Sequence, residues 1–247
     1  MNSFFCKKAY RKLPRSLFSF ALFSAATLSC VVQAHEHDDP LIARIMIDEL
    51  EVRNSNGENA TSLAAQAWVG KDLNKLWLKA DVETRDDKTE YSELQALYSH
   101  AIAPYWDLQT GMRQDSKPTP SRTWGVLGIQ GLAPYFFEMD AALFIGEAGR
   151  TAARFSAEYD LLITQRLILS PSLEVDFYGQ NDIETETGSG LSNANAGLRL
   201  RYEIYREFAP YVGINWEKNF GATADFLKAI GESEGETEWV LGLRAWF

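Results

Sequence analysis

Glu238-Trp239-Val240-Leu241-Gly242-Leu243-Arg244-Ala245-Trp246-Phe247 is the stretch whose reading decides the fold. Trp239, Leu241, Leu243, Ala245 and Phe247 make one apolar row, and Glu238, Val240, Gly242, Arg244 and Trp246 make a mixed one. Alternation with period two is the mark of a strand whose two faces meet different surroundings. A strand that stops on an aromatic residue, with its apolar row on one side, matches the closing strand of an outer-membrane barrel. The apolar row then meets lipid and the mixed row meets the lumen.

Working back along the chain, similar alternation recurs near 41–53, 63–71, 75–85, 90–102, 105–115, 123–132, 136–145, 151–164, 167–179, 193–205 and 210–218. With the last stretch, 237–247, that makes about 12 strands, with boundaries open by a few residues. In the eighth, Phe155, Ala157, Tyr159, Leu161 and Ile163 oppose Arg154, Ser156, Glu158 and Asp160. The chain is 46% hydrophobic, yet no segment after the N-terminus offers the roughly 20 apolar residues of a spanning helix. Strands resolve this, because each sends only half its residues to lipid. The fold class expected is all-β, a transmembrane antiparallel up-and-down barrel over 41–247.

The connections give an independent test. Ala-Pro-Tyr occurs at 103–105, 133–135 and 209–211. Read as turns after strands four, six and ten, all three lie at one end of the barrel. Proline suits a turn because it cannot donate to the ladder, and Tyr and Trp suit the membrane interface. The connections after odd strands read as mostly longer and polar: Asn54–Ser62, Ser116–Arg122, Gln180–Ser192 and Asn219–Glu236. Short periplasmic turns and long outer loops are the barrel asymmetry. A soluble β-sandwich carries the same alternation, but it leaves the side-sorted turns and terminal aromatic unexplained. Pro171 interrupts the ninth strand and calls for a bulge or an interfacial position.

The N-terminus fits export. Lys7, Lys8, Arg11, Lys12 and Arg15 form a basic region, Leu17 to Val32 is apolar, and Val32-Gln33-Ala34 is a cleavage site. Residues 1–34 read as a signal peptide and 35–40 as a short periplasmic tail. Both cysteines, Cys6 and Cys30, fall in this leader. The mature chain is expected to hold no disulfide or thiolate metal site. Removing five basic residues from 24 leaves 19 against 34 acidic ones, a net charge of about −15. Nucleic acid is thereby excluded as a partner, and cations are favoured.

Lumen-facing rows carry Lys79, Asp81, Glu83, Arg85, Glu93, Arg113, Asp115, Asp140, Arg154, Glu158, Glu174, Arg199, Arg201 and Arg244, among others. Both signs are interspersed, so pairing across neighbouring strands is expected to fill a narrow, poorly conducting interior. Cleavage after Ala34 exposes His35-Glu36-His37. An α-amine, two amide nitrogens and a third-position imidazole surround Cu(II) in a square plane, with His35 as a further imidazole. His35 and His37 are the candidate metal ligands. Met46, Met112, Met139 and His100 are scattered, and packing is the better reading of each. A hydrolase needs a nucleophile paired with a base. Ser99 points opposite to His100, and Ser92 lies too far along the strand, so no enzyme activity is expected.

Several long stretches, in order, resemble the copper resistance protein B family of outer-membrane proteins. They are Tyr105-Trp106-Asp107-Leu108-Gln109-Thr110-Gly111, Gly128-Ile129-Gln130-Gly131-Leu132-Ala133-Pro134-Tyr135, Arg150-Thr151-Ala152-Ala153-Arg154, Leu198-Arg199-Leu200-Arg201-Tyr202-Glu203, Ala209-Pro210-Tyr211-Val212-Gly213 and Arg244-Ala245-Trp246-Phe247. The resemblance covers nearly all of 41–247. It implies copper tolerance at the outer membrane, with copper bound or exported from the periplasm and a periplasmic multicopper oxidase as a partner. Many members carry a long Met- and His-rich segment before the barrel. Here only His35 to Pro40 stands between the expected cleavage site and the first strand. The alternative expectation is a narrow channel or structural barrel with no metal role.

Overall fold

The computed structural model describes residues 39–55 and 58–247. Thirteen antiparallel strand segments form one sheet. They are β1 (Ile42–Ser55), β2 (Glu58–Gly70), β3 (Asn74–Arg85), β4 (Lys88–Ala103), β5 (Trp106–Lys117), β6 (Arg122–Ala133), β7 (Phe137–Gly146), β8 (Thr151–Glu158), β9 (Leu161–Leu162), β10 (Leu167–Tyr178), β11 (Gly190–Tyr202), β12 (Phe208–Asn219) and β13 (Gly235–Trp246). Neighbours in sequence pair in turn, and β13 returns to β1, so the sheet closes into a barrel with no free edge. β8 and β9 pair with the same flank of β10 and are two pieces of one stave, which makes twelve.

Pro171 explains that break. β8 pairs with β10 only as far as Ser172, and β9 resumes at Leu169. Pro171 sits between them and has no N–H to offer across the gap. The freed Asp160 turns into the lumen, where it accepts from Ser170 Oγ at 2.5 Å and from Arg201 Nη2 at 2.6 Å. Pro210 is tolerated by a related device. It pairs with Leu243 of β13, while the β11–β12 ladder stops one residue short, at Arg201 and Tyr211.

That position corrects one expectation. Ala103-Pro104-Tyr105 and Ala133-Pro134-Tyr135 do form turns, with Tyr105 and Tyr135 in the left-handed region. Ala209-Pro210-Tyr211 lies inside β12, and Tyr211 is buried in the lumen. The expected Asn54–Ser62 loop is also absent. β1 and β2 stay paired out to Ser55 and Glu58. Asp86 and Asp87, both at positive φ, close β3 to β4 in a two-residue hairpin. The length asymmetry therefore rests chiefly on 179–189 and 220–234, the latter carrying helix α1 (Gly221–Ile230).

The alternating rows fall as the sequence implies. Trp239 (70% exposed), Leu241 (63%), Leu143 and Met112 face outward, whereas Glu51 (1%) and Glu93 (2%) face inward. Aromatic rings pack closely against glycines of adjacent strands. A Cβ on Gly242 would come within 2.4 Å of the Tyr211 ring, and one on Gly146 within 2.7 Å of Trp124. Inside, Leu97, Trp124, Val126 and Phe144 form a small apolar core on the β4–β7 wall.

Candidate functional site

The lumen is a large polar enclosure, and two buried ion clusters organise it. In the first, Glu93 of β4 accepts from Arg113 Nη2 at 2.8 Å and from Arg154 Nη1 at 3.3 Å. It also accepts from Gln95 Nε2 at 2.5 Å and from the Tyr91 hydroxyl. Arg113 continues to Asp115 at 2.7 Å, and Arg154 to Asp176 at 2.9 Å. Trp124 Nε1 donates to Asp115 at 2.8 Å, and the Arg113 guanidinium lies 4.7 Å over the Phe144 ring. Every charge here is paired and hydrogen-bonded, the condition under which burial is tolerated.

The second cluster centres on Glu51 of β1. It accepts from Arg199 Nε at 2.6 Å, Arg53 Nε at 2.7 Å and the Tyr211 hydroxyl at 2.9 Å. Glu49 joins Arg199 at 2.9 Å and Arg53 at 3.3 Å. The sequence reading missed Glu49, Glu51 and Arg53. Their strand carries a bulge between Ile47 and Glu49, so strict alternation from the start of β1 mis-sorts them. Asp48 and Glu49 both serve the lumen as a result, Asp48 lying 3.7 Å from Arg244 Nη2.

The expected pairing across neighbouring strands is only part of the pattern. Arg154 of β8 reaches β4, Arg199 of β11 reaches β1, Arg85 of β3 reaches Glu236 of β13 at 3.0 Å, and Arg244 of β13 reaches Glu158 of β8 at 3.3 Å. Inward side chains converge on a concave wall, so long guanidinium arms find partners several staves away. The pairs also line the interior instead of filling it. A cavity of about 1220 Å³ remains, bordered by the barrel wall and by loop residues including Pro118, Thr187, Thr223 and Leu227.

The outer loops are themselves charge-anchored. Asp182 is held by Arg122 at 2.9 Å and Arg150 at 3.1 Å. Burial pushes its carboxyl up, but the Arg122 hydrogen bond and the two guanidinium charges outweigh this and hold it below the usual aspartate range. Thr223 of α1 accepts from the Gly188 amide at 2.8 Å and shares a hydrogen bond of 2.7 Å with Ser192.

The candidate ligands do not assemble. His35 and His37 lie outside the described residues. His100 is on the outer face of the barrel, with Nδ1 2.8 Å from Asn74 Oδ1. Ser99, its sequence neighbour, is in the lumen and donates to Asp107 at 3.1 Å. Met112 and Met139 belong to outward rows, and Met46 pairs with Gln66 on the inward side. Among the described residues no three His, Cys, Asp or Glu side chains come together as a metal-holding group. What the lumen offers is carboxylate and carboxamide oxygen, a donor set for hard cations.

The family model described as "Copper resistance protein B precursor (CopB)" matches residues 41–247. The chain is 43% identical over 217 residues to a copper resistance protein B of Escherichia coli, covering 87% of this chain and 73% of that one. It is 44% identical over 211 residues to a copper resistance protein B homolog of Pseudomonas syringae pv. tomato, covering 85% and 72%. Among solved structures, a NanC porin superposes with a TM-score of 0.55 at 11% identity, covering 83% of this chain and 99% of the porin. A KdgM porin gives 0.52 at 11% identity with the same coverage. The porin likeness is one of fold.

Proposed function

Because the chain belongs to the copper resistance protein B family, we propose that it protects the cell from copper as a barrel in the outer membrane, reached through a cleaved signal peptide. Periplasmic copper is captured by the tail at His35 and His37 and passes into the acidic lumen on its way out. The observation that carries this reading is the wall of the cavity, where thirteen carboxylates stand against seven Arg and Lys side chains. A wall of net negative charge concentrates cations and excludes anions. Oxygen donors without gathered thioethers suit Cu(II) better than Cu(I) inside the barrel. A periplasmic multicopper oxidase, which delivers that oxidation state, is the partner that fits.

Copper titration of the purified mature protein tests the reading, with His37→Ala as control. The expected result is Cu(II) binding that falls on substitution, together with copper sensitivity, but not zinc sensitivity, in a deletion strain. Binding no greater than that of an unrelated acidic barrel defeats it. The porin-type closed barrel supports a second reading, a narrow channel with no metal role. That reading predicts equal growth of the deletion strain with and without copper.

A further inference from the structure

On the lumen side of β3 one ammonium group occupies a place built from three other strands. Lys79 Nζ lies 2.9 Å from Asp140 Oδ2 of β7, 3.2 Å from Gln130 Oε1 of β6 and 3.4 Å from Gln109 Oε1 of β5. Gln109 Nε2 donates to Gln130 Oε1 at 2.9 Å, which fixes both amides with their oxygens toward the ammonium. The Trp77 ring, 5.9 Å away, adds its face. An ammonium has three donors and no acceptor, so three converging oxygens satisfy it completely. The same oxygens are the donor type that hard metal cations take. Lys79, Gln130 and Asp140 all border the cavity.

Two residues further along the same inward row stands Asp81. Its carboxylate borders the cavity and has no hydrogen-bond or ion-pair partner among the described residues. Residues two apart on a strand are about 7 Å apart on one face, within the sweep of a lysine stem.

We propose that Gln109, Gln130 and Asp140 form a cation-binding station on the lumen wall, that the Lys79 ammonium is its tethered occupant, and that Asp81 is the berth to which it swings when a free metal cation takes the station. The ligand class is an oxygen-liganded metal cation. A tethered positive charge blocks the station until displaced, so cations cross one at a time and the wall is never left with the site empty. This rests on the reading of the lumen as a cation path.

The test uses the full chain, purified and inserted in planar bilayers under a KCl gradient, with heat-dependent gel mobility confirming that each variant is folded. Wild type is expected to prefer potassium over chloride. Lys79→Met, which keeps length and loses charge, is expected to raise potassium conductance several-fold. Asp81→Asn, which removes the second berth, is expected to lower it. Opposite effects from two neighbours on one strand would not come from general loosening. A cation-selective wild type whose conductance Lys79→Met leaves unchanged overturns the station and spares the cation path. Asp81→Asn breaks no contact and so folds even where Lys79→Met does not, and wild-type conductance in that variant overturns the second berth. A wild type that prefers chloride overturns the path and the station together.

Discussion

Glu93 is a junction of the interior, because two guanidinium groups, a phenol and an amide converge on it. Glu93→Leu would leave Arg113 and Arg154 short of a buried counter-charge. Removing one partner of such a set costs about 3–5 kcal/mol. Urea unfolding of the barrel in lipid vesicles is expected to show a loss of that size, and Glu93→Gln, which keeps an acceptor, a smaller one. Asp182 makes a pH-dependent contribution of definite sign. Its carboxyl is held below the aspartate range in the folded protein, so its share of stability is in full force above the unfolded value of about 3.9. That share is lost as pH falls through the folded value. Pepsin cleavage within 179–189, measured relative to an unfolded substrate, is therefore expected to accelerate below about pH 4. Asp182→Asn should cut readily at every pH and abolish the step.

At the scale of elements, α1 depends on Thr223. Its hydroxyl serves both the Gly188 amide and Ser192, and there is no room for a side chain at Gly188, where a Cβ would lie 2.3 Å from the Thr223 nitrogen. Thr223→Val leaves a buried amide without an acceptor, a cost of about 1–3 kcal/mol. Hydrogen exchange is expected to rise in 179–189 and 220–234 while the strands stay protected. The strands themselves were legible in the sequence because a closed barrel obliges every residue to choose lipid or lumen, and the choice repeats with period two. Three features were not legible, each for a local reason. The bulge after Ile47 reverses parity within β1, hiding Glu49, Glu51 and Arg53. Pro171 marks a fault, but whether it bends its own strand or breaks its neighbour depends on the ladder beside it. Pro210 looks like a turn residue and is a strand residue, because the β11–β12 ladder ends one position before it. The ion clusters were foreseeable in composition but not in pairing. Which arginine meets which carboxylate is set by barrel closure, which brings β8 opposite β4 and β11 opposite β1.

For the whole molecule, the decisive property is the direction in which the apolar rows point. Leu241 stands near the middle of β13 on the outward row, flanked across the ladder by Val212 and Val52. Asn195 of β11 faces the cavity. If the outward rows meet lipid, a charge at the first position must enter hydrocarbon, and a charge at the second meets water and carboxylates. Leu241→Arg is then expected to destabilise the folded barrel in bilayers by about 2–4 kcal/mol, the cost for arginine on the lipid face near the midplane. Asn195→Arg is expected to cost far less, since the net-acidic wall around it receives the charge. A soluble fold with the same strands would respond differently. Packing the outward rows against one another would bury Leu241 in a core, and any charge there would abolish folding in water and in lipid alike. Comparing the two variants in vesicles of shorter and longer acyl chains separates the cases. A lipid-facing arginine is relieved as the bilayer thins and its guanidinium reaches the headgroups. An arginine in a protein core is indifferent to chain length. Relief of Leu241→Arg in thin bilayers, with Asn195→Arg unchanged throughout, is the outcome this arrangement of faces requires.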